Sequence, residues 1–252
     1  MQTLTLRPLS VGEILDLSFA IYRRHFSQLV VIALVTQAAP ILIGSFVESA
    51  GGRLDHPGLA LLDTILSLIA GAIGIAASTQ IVSASYLGET MTPWQAFEHA
   101  LPHVGRLISL SILSGFAIGF GLVLLIVPGI ILACGLALGA QVQVLEGTAK
   151  ASDAMGRSWQ LTKGHRGKVA VTLFVAVLLL FVPSIGLGAL MGLFEALIGP
   201  DSAFLTSLLF NAVFQILLYP YVYSAATVLY YDLRVRKEGF DLEMLEAALK
   251  PA

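Results

Sequence analysis

LISLSILSGFAIGFGLVLLIVPGIILACGLALGAQVQVL, residues 107–145, runs for 39 positions without one Asp, Glu, Lys or Arg. A helix rises about 1.5 Å per residue, so this run would reach about 58 Å, roughly twice the ~30 Å hydrocarbon core of a bilayer. One crossing cannot use it. The run must turn back, and Val127-Pro128-Gly129 is the place where a turn is expected. The reading is a membrane hairpin with spans at 107–126 and 129–145.

Four further stretches are long and apolar enough to cross as helices: 27–47, 63–86, 169–197 and 203–231. The whole chain supports that reading. It is 57% apolar and 12% charged, with a mean hydropathy of +0.87. A soluble domain carries about 25% charged residues, so this chain lacks the polar surface that water would require. The expected fold class is therefore all-α: one polytopic transmembrane bundle, 1–252, of about six spans. The first apolar run is long enough to span and follows no basic leader, so an uncleaved membrane helix is expected there.

Lys and Arg orient the bundle. With six spans, Arg7, Arg23, Arg24, Arg106, Lys150, Arg157, Lys163, Arg166, Lys168, Arg234, Arg236, Lys237 and Lys250 fall on one side. Only Arg53 of the 14 basic residues falls on the other. Both termini are thus expected in the cytoplasm, together with the tail 232–252, whose Leu242, Leu245 and Leu249 suit a short surface helix.

An amphipathic helix is expected before each hairpin, at 10–26, 92–106 and 148–164. Ser10 with Glu13, and Thr92 with Gln95, form capping boxes, in which each side chain satisfies a free backbone N–H. Pro93 suits a first helical position. From Ser10, Thr92 and Ser152 to Arg24, Arg106 and Arg166 the spacing is the same, which suggests a threefold internal repeat. Helices of this kind lie in the headgroup plane and attract anionic lipid. Arg23, Arg24, Arg106, Arg157, Lys163, Arg166, Lys168, Arg234 and Arg236 are the candidate headgroup contacts. Gly115/Gly119, Gly135/Gly139 and Gly188/Gly192 have the GxxxG spacing that lets helices approach closely. Pro40, Pro183 and Pro220 interrupt spans.

Residues 6–16, LRPLSVGEILD, with Tyr22-Arg23-Arg24-His25-Phe26, resemble the opening of a bacterial family. So do Val127-Pro128-Gly129-Ile130, Leu145-Glu146-Gly147 and residues 230–241, YYDLRVRKEGFD. The family is the membrane domain associated with glycerophosphoryl diester phosphodiesterases, close to the YciC-like inner-membrane proteins. The resemblance implies a helical fold in a bacterial inner membrane, without a defined activity. The catalytic barrel of those phosphodiesterases carries a His-Arg-Gly motif. His165-Arg166-Gly167 here directly precedes a span and reads as a coincidence.

Polar residues inside spans are costly unless paired or facing a cavity. Gln80, Gln141, Gln143, Asn211 and Gln215 are the candidates for an intramembrane polar pocket, with interhelical hydrogen bonding as the plainer role. Asp63 and Glu195 sit near outer helix ends, where solvation is expected. Asp232 is expected to pair with a nearby Arg. The one thiol, Cys134, reads as a small apolar helix residue, and His99/His103 alone make a poor metal site. No catalytic group, cofactor or metal is expected, and no nucleic-acid partner. Membrane lipids, a membrane-protein partner or a second copy of the chain are the expected partners. The function expected is a non-enzymatic organising, regulatory or lipid-interacting role, with transport of a small or amphiphilic solute as the alternative.

Reporter fusions test the topology. Fusions within 88–93 and at Ala252 should report the cytoplasm, and those within 50–58 the opposite side; cytoplasmic activity within 50–58 overturns the six-span arrangement.

Overall fold

The computed structural model describes residues 7–199 and 202–240. The expected tail helix and Lys250 lie outside the described residues. The elements are α1 (Val11–Arg24), α2 (Phe26–Ser49), α3 (Pro57–Tyr86), α4 (Pro93–Ala100), α5 (Val104–Leu124), α6 (Ile126–Leu136), α7 (Gly139–Leu145), α8 (Ala151–Thr162), α9 (Arg166–Ile198), α10 (Ala203–Ala212) and α11 (Tyr219–Glu238). A 3-10 turn, Leu101–His103, joins α4 to α5, and a π-helical segment, Val213–Leu218, joins α10 to α11. Among the described residues six stretches are long and apolar enough to cross a membrane: Phe26–Ser49, Pro57–Tyr86, Pro93–Leu124, Ile126–Leu145, Arg166–Ile198 and Ala203–Glu238. The fold is an all-helical bundle of the kind a multi-pass membrane protein forms.

Local chemistry starts the first and second amphipathic helices where the sequence places them. Ser10 Oγ accepts from Glu13 N at 3.3 Å, and Glu13 Oε2 accepts from Ser10 N at 2.7 Å. That backbone bond, with the Arg7 guanidinium, holds the Glu13 carboxyl down at about 2. Thr92 and Gln95 repeat the arrangement ahead of Pro93. The third helix does not. Its N-cap is Lys150, which makes no side-chain cap bond, and Ser152 lies inside α8. The equal spacing to the three arginines therefore does not correspond to equivalent helix starts.

α2 and α3 run antiparallel with a steady register. His25 Nε2 and Ser85 Oγ are 2.9 Å apart at one end. A Cβ on Gly74 would meet Thr36 Oγ1 at 3.4 Å midway, and one on Gly44 would meet Asp63 Oδ1 at 3.4 Å towards the other end. The α5–α6 hairpin turns on Leu125 alone, the one extended residue there, with φ −161° and ψ 144°. Val127-Pro128-Gly129 lies within the first turns of α6 rather than forming the bend. A proline fits there because the first N–H groups of a helix have no intrahelical acceptor.

Burial is uneven along the bundle. The shared core gathers Ile14 and Ile21 of α1, Ala96 and Ala100 of α4, Ala154 and Leu161 of α8, and the adjoining ends of the long helices. Beyond that end the helices expose apolar surface: Phe116 is 77% and Val123 85% exposed. Lipid is the solvent that such surface suits. The bundle is thus closely packed at the end bearing the amphipathic helices, here called the basic end, and open at the far end.

Close glycine contacts lie elsewhere than most of the GxxxG spacings suggest. Gly115, Gly119 and Gly192 have no neighbour within 4 Å of an added Cβ, and Gly188 meets only Phe210, at 3.5 Å. On Gly129 it would lie 2.7 Å from Leu122 N, and on Gly121 3.1 Å from Gly129 Cα, so these two let α5 and α6 touch. On Gly135 it would strike the Trp159 ring at 2.2 Å. The helix breaks just after Gly135, at Ala137–Leu138, and the Gly135 carbonyl accepts from Ser158 Oγ at 2.8 Å and Thr162 Oγ1 at 3.2 Å. Gly135 is therefore the seat of α8. Gly135→Leu and Gly129→Leu should each lower stability in detergent by about 1–3 kcal/mol through overpacking. Gly119→Leu should leave the thermal midpoint within the ~0.5 kcal/mol of a surface change.

Candidate functional site

The polar chemistry concentrates at the basic end, around the last turns of α11. Tyr230, Asp232 and Leu233 there are wholly buried. A buried carboxylate is tolerated only when its charge is balanced and its lone pairs are filled. Asp232 Oδ1 accepts from the Leu9 backbone N–H at 2.7 Å. Arg236 Nε lies 3.0 Å from Asp232 Oδ2, and Lys168 Nζ forms a second ion pair with it. The same two cations donate to the Leu9 carbonyl, at 2.5 Å from Lys168 and 2.6 Å from Arg236. One residue of the N-terminal segment is thereby clamped through both its backbone groups to α9 and α11.

A second network adjoins the first. Arg157 of α8 meets Glu146 Oε2 at 2.8 Å and Glu238 Oε1 at 2.5 Å. Glu238, ahead of Glu146, keeps this guanidinium even more firmly protonated than usual. Tyr230 Oη donates to Glu146 Oε1 at 2.9 Å, and Arg234 reaches Glu238 at 3.1 Å while lying over Phe240. Tyr86 and Tyr231 stack with ring centres 4.7 Å apart, and the Tyr231 hydroxyl meets Ser83 Oγ at 2.6 Å. These contacts join α3, α7, α8 and α11.

Most of the nine candidate headgroup contacts take part in this internal chemistry. Arg157, Lys168, Arg234 and Arg236 are ion-paired. Arg106 donates to the Thr148 and Pro102 carbonyls at 2.9 and 3.1 Å. Arg166 lies 3.7 Å over the Trp159 ring at the start of α9, so the middle residue of His165-Arg166-Gly167 is engaged in packing. Arg23, Arg24 and Lys163 are exposed and, among the described residues, have neither a hydrogen-bond nor an ion-pair partner.

The five intramembrane polar residues do not converge. Gln143, fully buried, holds the α7–α8 connection through Thr148, donating to its carbonyl at 2.8 Å and accepting from its hydroxyl at 2.9 Å. Gln141 is buried with Oε1 unpartnered, and Gln80 is part-buried on α3. Asn211 belongs to the far end, where Nδ2 donates to Glu48 Oε2 at 3.2 Å and to the Ser207 carbonyl at 2.9 Å. Gln215 lies in the π-helical segment. Asp63, expected in solvent, is 3% exposed and pairs with Arg53 at 2.7 Å. The signal was Arg53 itself, the one base beside that helix end.

Several cavities mark the surface of the described residues. An apolar groove of about 700 Å³ lies between α2, α3 and α4. A smaller one of about 410 Å³ at the far end is lined by Glu48, Glu195 and Thr206. Two more, of about 340 and 420 Å³, are lined by residues of α9, the π-helical segment and the start of α11, the larger also by Leu15, Asp16, Phe19 and Tyr22 of α1. Among the described residues no group of three or more His, Cys, Asp or Glu is placed to hold a metal ion. The site is thus a packed ionic hub inside the basic end of a membrane bundle, with a few exposed cations at its rim. Comparison with family models, curated proteins and solved structures finds no match.

Asp232→Ala should strand Lys168, Arg236 and the Leu9 N–H together, lowering stability by about 3 kcal/mol, while Arg23→Gln should change it by less than ~0.5 kcal/mol. Thermal unfolding of the detergent-solubilised protein checks both.

Proposed function

We propose that the chain is a non-enzymatic integral protein of a bacterial inner membrane, with both termini in the cytoplasm. Its role is to organise or regulate its surroundings through contact with lipid. Membership of the glycerophosphoryl diester phosphodiesterase membrane-domain family is part of this reading and rests on the motifs at 6–16, 127–130, 145–147 and 230–241. The observation that carries the reading is the division of the basic residues. The internal network takes up Arg157, Lys168, Arg234 and Arg236, whereas Arg23, Arg24 and Lys163, at the ends of α1 and α8, are exposed and unpaired among the described residues. Each such cation near an anionic surface contributes about 1 kcal/mol of attraction.

A second reading, transport of a small or amphiphilic solute, draws on one observation. The π-helical segment carrying Gln215 borders two cavities, and π-helical turns recur at functional sites.

Native mass spectrometry of the protein in mixed lipid separates the two. Arg23→Gln/Arg24→Gln/Lys163→Gln should stay membrane-resident and folded, because the internal pairs are untouched, yet lose most of its bound anionic lipid. Undiminished anionic lipid on the triple variant would reject a lipid role for this rim.

A further inference from the structure

The apolar groove differs in chemistry from the basic rim. Its floor is the crevice between α2 and α3, from Val31 to Pro40 on one helix and from Ile73 back to Leu66 on the other. Val31 to Pro40 is nine residues, a rise of about 14 Å. Half of a ~30 Å hydrocarbon core is about 15 Å, so the groove is one leaflet deep. That is the depth an acyl chain of one leaflet occupies on entering from the basic end. Its volume of about 700 Å³ falls within the range of small-molecule sites.

The closed end and the mouth are built differently. Pro40, about midway along α2, is buried where the α2 side of the lining ends. At the mouth α4 supplies Trp94, 71% exposed, and Glu98. Tryptophan favours the level of the headgroups, with its ring in the apolar layer and its N–H towards water. Among the described residues Glu98, which is exposed, is the one charged residue lining the groove, and none of them engages it in a hydrogen bond or ion pair. Every other lining side chain is apolar or a threonine, so no base neutralises the mouth from α2 or α3. An anionic lipid would bring its charge against this carboxylate. An ammonium group would complement it, and a primary ammonium offers three donors that a quaternary one lacks.

We propose that this groove seats one acyl chain of phosphatidylethanolamine, with Glu98 accepting from the headgroup ammonium and Trp94 marking the interface. The inference rests on the lipid-interaction reading but uses a different surface from the rim of Arg23, Arg24 and Lys163. The protein therefore presents two sites of opposite charge preference.

The 252-residue chain, in nanodiscs of equal parts phosphatidylethanolamine, phosphatidylcholine and phosphatidylglycerol, is released into native mass spectrometry and its retained lipids are counted. Two variants are compared with wild type. Glu98→Gln removes the charge of an exposed side chain, and Ala39→Phe fills the groove from an exposed position on α2. Wild type should retain phosphatidylethanolamine over phosphatidylcholine by about threefold, the scale of one net hydrogen bond. Glu98→Gln should abolish the preference while keeping a bound lipid, and Ala39→Phe should remove that lipid. Phosphatidylglycerol should be unchanged in both. Equal retention of the two zwitterionic lipids by wild type, or an unaltered preference in either variant, overturns the proposal. If wild type retains phosphatidylglycerol alone, the groove assignment fails and the rim reading stands. If it retains no lipid of any class, the lipid-interaction reading itself fails.

Discussion

A carboxylate with no exposure to solvent sets the terms for the rest of this bundle. Left alone in the interior, the Asp232 charge would be prohibitive. It is tolerable because two cations and a backbone N–H converge on it from three parts of the chain. Each of those donors constrains something larger. Lys168 fixes the first turn of α9, Arg236 the last turn of α11, and Leu9 the residue just before the Ser10 cap. The Leu9 carbonyl completes the arrangement by accepting from both cations. Since α1 begins two residues after Leu9, its position follows from the clamp. Ile14 and Ile21 are then delivered to the core with almost no exposure.

The same end-on organisation explains why the amphipathic helices are partly internal. A helix lying on headgroups turns its apolar face to acyl chains, whereas α1, α4 and α8 turn much of theirs to protein. Their small buried residues show how close that docking is: Ser18 in α1, Ala96 and Ala100 in α4, and Ala154 and Ser158 in α8. Ser158 also caps the carbonyl freed where the α6–α7 helix breaks, so α8 repairs a defect in a neighbouring helix while packing on it. Charge divides accordingly. Among the described residues Arg157, Lys168, Arg234 and Arg236 meet Glu146, Asp232 and Glu238, whereas Arg23, Arg24, Lys150 and Lys163, at the ends of α1 and α8, are exposed.

Much of this was legible locally. The two capping boxes, the six apolar stretches and the excess of charge at one end need only neighbouring residues or simple sums. What the sequence did not reveal depends on partners distant along the chain. Gly119 and Gly135 look alike as members of GxxxG pairs, yet one faces open space and the other a tryptophan ring. Gln143 looks like a residue for a pocket, but a threonine five positions on engages both ends of its amide. Asp232 was expected to find an arginine, and it does so at i+4. Its lysine partner and the Leu9 backbone lie 64 and 223 positions away. The hairpin turn was misplaced by two residues because a proline in the first turn of a helix and a proline in a loop leave the same trace in a sequence.

The boundary between the packed and open halves of the bundle falls where α11 begins, and the backbone accounts for it. Pro220 carries no N–H, so the carbonyl four residues before it, on Ile216, loses its usual donor. The chain answers with a π-helical segment over Val213–Leu218. That segment is only part-buried, whereas α11 turns almost wholly inward from Ser224 to Leu233. The widened turn also leaves the Leu217 carbonyl able to accept from the Tyr22 hydroxyl at 2.6 Å, with the Tyr22 ring edge-on to Tyr221. α1 is thus held at both ends of its length, at Leu9 by charge and at Tyr22 by a hydroxyl. Beyond that second attachment α1 contributes nothing more to the packing of α9, α10 and α11. Their outer halves are left to be solvated by lipid.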